Sequence, residues 1–160
     1  MSSLNTTPEL YATPGLLRRF AAMVYDSLLL MAVSILYGFV AMGLNVLIQG
    51  APESGQRVTW GYAGPFMFAG WIGVLLFFFC YFWHKAGQTL GMKTWRIKIL
   101  SASGGLPSYK QCIIRWCCAP ISFAFLGAGY WWMYADAGRQ TLHDRISGTR
   151  TYLMAKDKKV

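Results

Sequence analysis

The sequence predicts an all-α membrane protein with two full transmembrane helices, a third broken or re-entrant apolar helical segment, and a small cytoplasmic two-stranded ribbon. Three observations carry that prediction. Of 160 residues, 55% are hydrophobic, 16% aromatic and only 13% charged, too much apolar surface for an ordinary soluble domain of this size. Three windows contain no Asp, Glu, Lys or Arg: Ser27 to Pro52, Val58 to His84 and Trp116 to Ala135. Each reaches the ~20 residues that cross ~30 Å of hydrocarbon at ~1.5 Å per residue. The cations gather around these windows, and residues 1–160 read as one membrane domain.

Thr13-Pro14 starts the first helix, because Thr can cap free amides and Pro tolerates the first helical position. The helix is expected from Pro14 or Gly15 to about Ile48, longer than the bilayer core, so its first two turns belong to the interface or the cytoplasm. Gly50-Ala51-Pro52-Glu53-Ser54-Gly55 is a short polar turn with two breakers, fit to join antiparallel spans. The second helix begins near Trp60 or Gly64 and ends around Trp83. Trp60 and Tyr62 at one border, with Tyr81, Trp83 and His84 at the other, form the aromatic belt of a span.

Beyond it, Trp95, Ile97 and Ile99 alternate with Arg96 and Lys98, the period of a strand running to Leu100. Ser108-x-x-Gln111 has capping-box spacing and starts a third helix at about Tyr109. Pro120, Gly127 and Gly129 interrupt the third apolar window, giving either one kinked span or a re-entrant pair of half-helices. Gln88-Thr89-Leu90 returns as Gln140-Thr141-Leu142, and each precedes a basic stretch with a candidate strand, Trp95 to Leu100 or Thr149 to Met154. Two such strands can pair if both are cytoplasmic.

Charge gives the orientation. From Lys85 to Arg115 there are six cations and no acid, whereas the turn between the first two windows holds Arg57 opposed by Glu53. The positive-inside rule places the former in the cytoplasm, and Arg18 and Arg19 place the N-terminus there too. The tail carries Arg139, Arg145, Arg150, Lys156, Lys158 and Lys159, which favours the same side. An even number of crossings is the result. The expected location is the bacterial cytoplasmic (inner) membrane, as a multi-pass protein without a cleavable signal peptide.

Arg19 and Asp26 lie one heptad apart, within about 20° of one helical face but ~10.5 Å apart along the axis. Helical side chains lean toward the N-terminus, so the two hardly touch and each needs a partner elsewhere. Asp144 is the natural acid for Arg19. Arg115, Lys85 and His84 are the candidate partners for Asp26. His143, beside Asp144, is expected to be a surface hydrogen-bonding residue able to titrate near neutral pH. The expected charged network is therefore Arg19, Asp26, Arg115, His143 and Asp144, serving either as an ion or proton pathway or as a clamp pinning the tail to the helix bundle.

Other chemistries find no support. Cys80, Cys112, Cys117 and Cys118 include no C-x-x-C pair and read as packing residues. Neither His has a second ligand at metal spacing, and there is no G-x-S-x-G, phosphate loop or paired-carboxylate site. No cofactor, metal or catalytic residue is expected, and the chain reads as non-enzymatic. The net charge of +9 flanks apolar runs instead of forming a basic stripe, which argues against nucleic acid. The expected partners are the bilayer and either further copies of the chain or another membrane protein.

An Arg at the head of the first span, an Asp one heptad on, Gly87-Gln88-Thr89-Leu90-Gly91 after the second span, and Thr141-Leu142-His143-Asp144-Arg145-Ile146-Ser147-Gly148-Thr149 near the end together resemble the RDD family of membrane proteins. The resemblance spans about Gly15 to Leu153. Gly91-Met92-Lys93 departs from the commoner basic pair after the second Gly. The resemblance implies a small multi-pass membrane protein, named for one Arg and two Asp, with relatives proposed to exchange sodium or protons. Cation or proton-coupled transport through an oligomer is the leading functional expectation, because two or three helices cannot enclose a polar path. A membrane interaction or assembly subunit is its rival.

Overall fold

The computed structural model describes residues 10–11, 13–53, 55–124 and 127–155. Ser54 of the expected turn and Lys156, Lys158 and Lys159 of the expected cytoplasmic tail lie outside the described residues. Two long helices dominate: α1 (Leu16–Gln49) and α2 (Ala63–Ala86). Gly15, extended at the N-cap, opens α1, and Gly50 with φ 85° closes it. Thr13 makes no side-chain cap, so the helix starts one residue beyond the expected Thr-Pro signal. Both helices are long and apolar enough to cross a membrane. Phe39, Leu47 and Phe66 are each more than 70% exposed, and the helices are apolar on all sides, as lipid contact requires.

Polar contacts join the two spans. The Tyr37 hydroxyl donates to the Met67 carbonyl at 2.6 Å, and Trp71 Nε1 donates to Ser34 Oγ at 3.0 Å. Gly70 makes room for that tyrosine, since a Cβ there would stand 2.6 Å from its hydroxyl. In an apolar surrounding such bonds tie helices together, because the unpaired alternative is costly.

The remainder is short: α3 (Leu90–Thr94), β2 (Ile97–Ser101), α4 (Tyr109–Ala124), α5 (Ala128–Ala135), α6 (Leu142–Ile146) and β3 (Thr149–Met154), with β1 (Leu10–Tyr11) ahead of α1. The strands form one antiparallel sheet in the order β1-β3-β2. The expected pairing of two strands is present and is extended by β1. Trp95 and Arg96 do not join β2; they come after α3, a short helix that the alternating pattern concealed.

The third apolar segment is broken into α4 and α5. The capping box forms as expected, with Ser108 N–H donating to Gln111 Oε1 and Gln111 N–H to Ser108 Oγ. Pro120 lies inside α4, and Gly127, at φ 75°, precedes α5. Gly129 lets α5 fold back, because a Cβ there would lie 2.5 Å from Ser122 Oγ on α4.

The three-residue sequence echo extends into a structural repeat with an offset of fifty-two residues. Gly87 and Arg139 both have positive φ, Thr89 and Thr141 cap five-residue helices, Arg96 and Gly148 again have positive φ, and β2 and β3 begin one residue later. Before each unit stands a helical hairpin: the long α1–α2 in one half, the short α4–α5 in the other. The strand register agrees. Ile97 faces Leu153, Ser101 faces Thr149, and the equivalent residues Ile99 and Thr151 face each other. That register places a pseudo-two-fold axis through the Ile99–Thr151 pair. The core sits between the halves, built from Cys80, Trp83, Met92, Ile97, Ile99 and Cys112, consistent with the packing role expected of two of the cysteines.

Candidate functional site: a buried Arg/Asp cluster

Asp144 is the hub. It stands at the third position of α6, where it closes a capping box with Thr141, and its side chain is 0% exposed. Oδ2 accepts from Arg19 Nη1 at 3.0 Å, from Thr141 N–H at 3.2 Å and from Thr141 Oγ1 at 2.7 Å. Oδ1 accepts from Thr151 Oγ1 at 2.8 Å and from Arg115 Nη1. Burial alone would raise the pKa of this carboxyl, but Arg115 and Arg19 outweigh it and hold the group well below the usual carboxylate range. A buried carboxylate with several donors and opposite charges is expected to stay ionised.

Each arginine is fixed by more than Asp144. Arg19, on the first turn of α1, leans back so that Nε reaches the Pro14 carbonyl at 3.3 Å, as the helical Cα–Cβ direction dictates. Arg115, from α4, also donates to Thr149 Oγ1 at 2.8 Å and Thr151 Oγ1 at 3.2 Å, and its guanidinium lies 5.5 Å from the Trp83 ring centroid. α1, α4, α6 and β3 are thus drawn to one carboxylate. The predicted Arg19–Asp144 pair is present, and Arg115 joins it.

Asp26 departs from expectation. Neither Arg115, Lys85 nor His84 pairs with it. Its Oδ2 accepts from Thr89 Oγ1 at 2.5 Å and its Oδ1 from Gly91 N–H at 2.9 Å, so neutral donors of the α3 start replace the cation. His84 instead stands 2.9 Å from the Pro107 carbonyl and stacks on Tyr109, while Lys85 reaches the Tyr81 hydroxyl. The physical reason is close approach. Gly91 seats α3 against α1 where any Cβ would collide with the Ala22 carbonyl and stand 2.8 Å from Asp26 Oδ1. The Gly-x-Thr-Leu-Gly motif is the receptor for Asp26: Gly87 turns the chain, Thr89 caps α3 and donates, and Gly91 supplies both space and an amide. Thr89 and Gly91 are members of the site that sequence reasoning did not assign, although the motif containing them was visible.

His143 is buried, at 3% exposure, not on the surface. Thr141 has one hydroxyl proton, given to Asp144, so its oxygen accepts from His143 Nε2 at 3.0 Å. That fixes the neutral Nε2–H tautomer and leaves Nδ1 bare. Burial, reinforced by Arg115, pushes the imidazole pKa down to about 3. The ring packs edge-on to Tyr130 at 5.0 Å. Near neutral pH it does not titrate, contrary to expectation.

Among the described residues no group of three or more His, Cys, Asp or Glu could hold a metal ion. The Asp144 oxygens already accept from five protein donors, so a cation there would have to displace one, whereas each Asp26 oxygen accepts from a single donor. The arrangement supports cohesion: two arginines and two aspartates, none exposed beyond 6%, join the membrane helices to the sheet layer. Burying such charges is costly unless every partner is present, and removing one partner is strongly destabilising.

A relative from Rickettsia prowazekii (strain Madrid E), an uncharacterized protein, is 33% identical over 84 residues, 52% of this chain and 46% of its own length. The chain thus matches about half the length of that curated relative. No solved structure matches the chain significantly. The RDD family profile matches residues 13–148, a stretch that holds Arg19, Asp26, Asp144 and, but for the final Thr149, both motifs around the two carboxylates, and the chain belongs to the RDD family.

Proposed function

We propose that this protein is a non-enzymatic membrane interaction subunit, in which the Arg/Asp cluster is a structural clamp that shapes a cytoplasmic docking layer. The observation carrying this reading is the saturation of Asp144, whose two oxygens accept from five donors. A group that relays ions needs free coordination capacity, and this carboxylate has none. The layout supports the cytoplasmic layer. β1 precedes α1, β2 comes after α2 and β3 after the broken segment, yet all three share one sheet, so the chain leaves and returns to the same side. α4 has 16 residues and α5 eight, each short of the ~20 a crossing needs. These lengths support a re-entrant third segment, and the six cations of residues 85–115 favour the cytoplasm as the sheet side.

Cation or proton transport through an oligomer is the second reading. One observation favours it: Arg19 and Asp26 both line a cavity between the two halves. Purified protein in liposomes separates the two. Absence of sodium or proton flux, together with recovery of a membrane-protein partner from native membranes that Asp144→Asn loses, supports the subunit. Wild-type flux abolished by Asp26→Asn, with assembly intact, rejects it in favour of transport.

A further inference from the structure

The cavity between the halves has a volume of about 490 Å³, within the ~300–1,000 Å³ usual for small-molecule sites. Its wall is drawn from both halves and is largely apolar, with Leu75 and Phe79 from α2 and Trp116 and Ala119 from α4. Ile99 and Thr151, the pair on the pseudo-two-fold axis, also line it. Three further lining residues are buried and polar, and each holds an atom without a hydrogen-bond partner: Arg19 Nη2, Trp83 Nε1 and His143 Nδ1. Their residues are 6%, 7% and 3% exposed. Native structures rarely leave such atoms orphaned, and each points to a missing partner.

The chemistry of that partner is set by the wall. Arg19 Nη2 and Trp83 Nε1 are obligate donors, so the partner must offer acceptors. Arg19 and Arg115 are matched in number by Asp144 and Asp26, the latter with its oxygens turned to Thr89 and Gly91, and His143 Nδ1, a bare acceptor, asks for a donor of its own. A phosphodiester beside a hydroxyl suits the polar part, with acceptors for Arg19 and Trp83 and a donor for His143. A free anion does not suit the remainder, because the apolar wall gains only from an apolar group. Helix termini with arginines at the border of an apolar run are also where phospholipid headgroups lie.

We propose that this cavity is a binding site for one anionic phospholipid, its acyl chain against the apolar wall and its phosphate oxygens accepting from Arg19 Nη2 and Trp83 Nε1. The lipid fills the space between the two halves, its phosphate supplies the acceptors the chain lacks, and a headgroup hydroxyl supplies the donor for His143 Nδ1. A lipid with a choline group binds less well, because choline has no hydrogen to donate to His143 Nδ1.

The test uses the full chain, purified in detergent, stripped of lipid and titrated with phosphatidylglycerol or phosphatidylcholine of identical acyl chains, with bound lipid counted by native mass spectrometry. One phosphatidylglycerol per chain is expected, held up to about tenfold more tightly than phosphatidylcholine, the scale of one hydrogen bond from the headgroup. Ala119→Trp, which fills the cavity away from the charged cluster, abolishes the retained lipid. Trp83→Phe weakens both lipids several-fold, because both carry the phosphate that accepts from Nε1. Equal retention of the two lipids by the wild type overturns the proposal without recourse to any variant. So does lipid retention unchanged by Ala119→Trp, or displacement of the lipid by inorganic phosphate alone, which would make the site one for a free anion.

Discussion

Replacing Asp144 by Asn keeps the side-chain shape and removes the charge on which the cluster converges. One amide oxygen can still accept from Arg115 and Thr151, but the amide nitrogen then faces Arg19 Nη1, Thr141 N–H and Thr141 Oγ1, all of them donors to the present carboxylate. The alternative flip turns the nitrogen toward Arg115 and Thr151. Either way two buried arginines lose their counter-charge. Breaking a buried pair by removing one partner costs about 3–5 kcal/mol. For a chain of this size, about 2–4 °C of melting temperature per kcal/mol converts that into a drop on the order of 6–20 °C. Thermal unfolding followed with a thiol-reactive fluorophore suits a Cys117→Ser, Cys118→Ser background, because Cys117 is exposed whereas Cys80 and Cys112 are buried and their labelling reports opening of the core. A shift below about 2 °C would refute the claim that the cluster holds the fold together.

Acidification should act through His143 first. Its folded pKa, about 3, lies below the ~6.5 of an unfolded imidazole, so the unfolded chain binds the extra proton. The stability this contributes is fully present above pH ~6.5 and is lost as pH falls toward 3, by about 2 kcal/mol at pH 5. Melting curves of His143→Gln should lose that slope between pH 7 and 5, and an unchanged slope contradicts the assignment. Asp144, also depressed, adds its loss only below the ~3.9 of an unfolded carboxyl. Gly91→Ala forces α3 off α1 and weakens the Asp26 bonds; overpacking of this kind costs about 1–3 kcal/mol, and melting indistinguishable from wild type would show that the close approach is dispensable. For topology, a cysteine introduced at Lys156 should react with a membrane-impermeant maleimide only after the cytoplasmic side is opened, and labelling from outside overturns the two-span arrangement.

Much of the framework was legible in the residues because membrane segments are written in charge and length. The two long helices, the Ser108–Gln111 capping box and the β3 segment arise from patterns a few residues wide. The Arg19–Asp144 pairing was reachable because an acid after the third window was the natural partner for a buried arginine. The partner of Asp26 was not reachable by the same logic. Counting cations treats a carboxylate as needing a charge, yet a hydroxyl and a backbone amide meet its need, and backbone amides leave no mark in a sequence. Gly91 was the available signal, since a glycine opening a short helix permits such an approach. His143 was misplaced because its burial depends on Tyr130 and on the shared hydroxyl of Thr141, contacts set by how α5 folds back on α4.

The register through Ile99 and Thr151 bears on how the molecule is put together. A chain whose equivalent residues meet across one point resembles a homodimer fused end to end, with one subunit having kept its long arms and the other having worn them down. The join would fall in the turn at residues 101–105, so separate polypeptides ending and starting there should find each other through the sheet, and the division of labour between anchor and cap would be a matter of which partner kept its length.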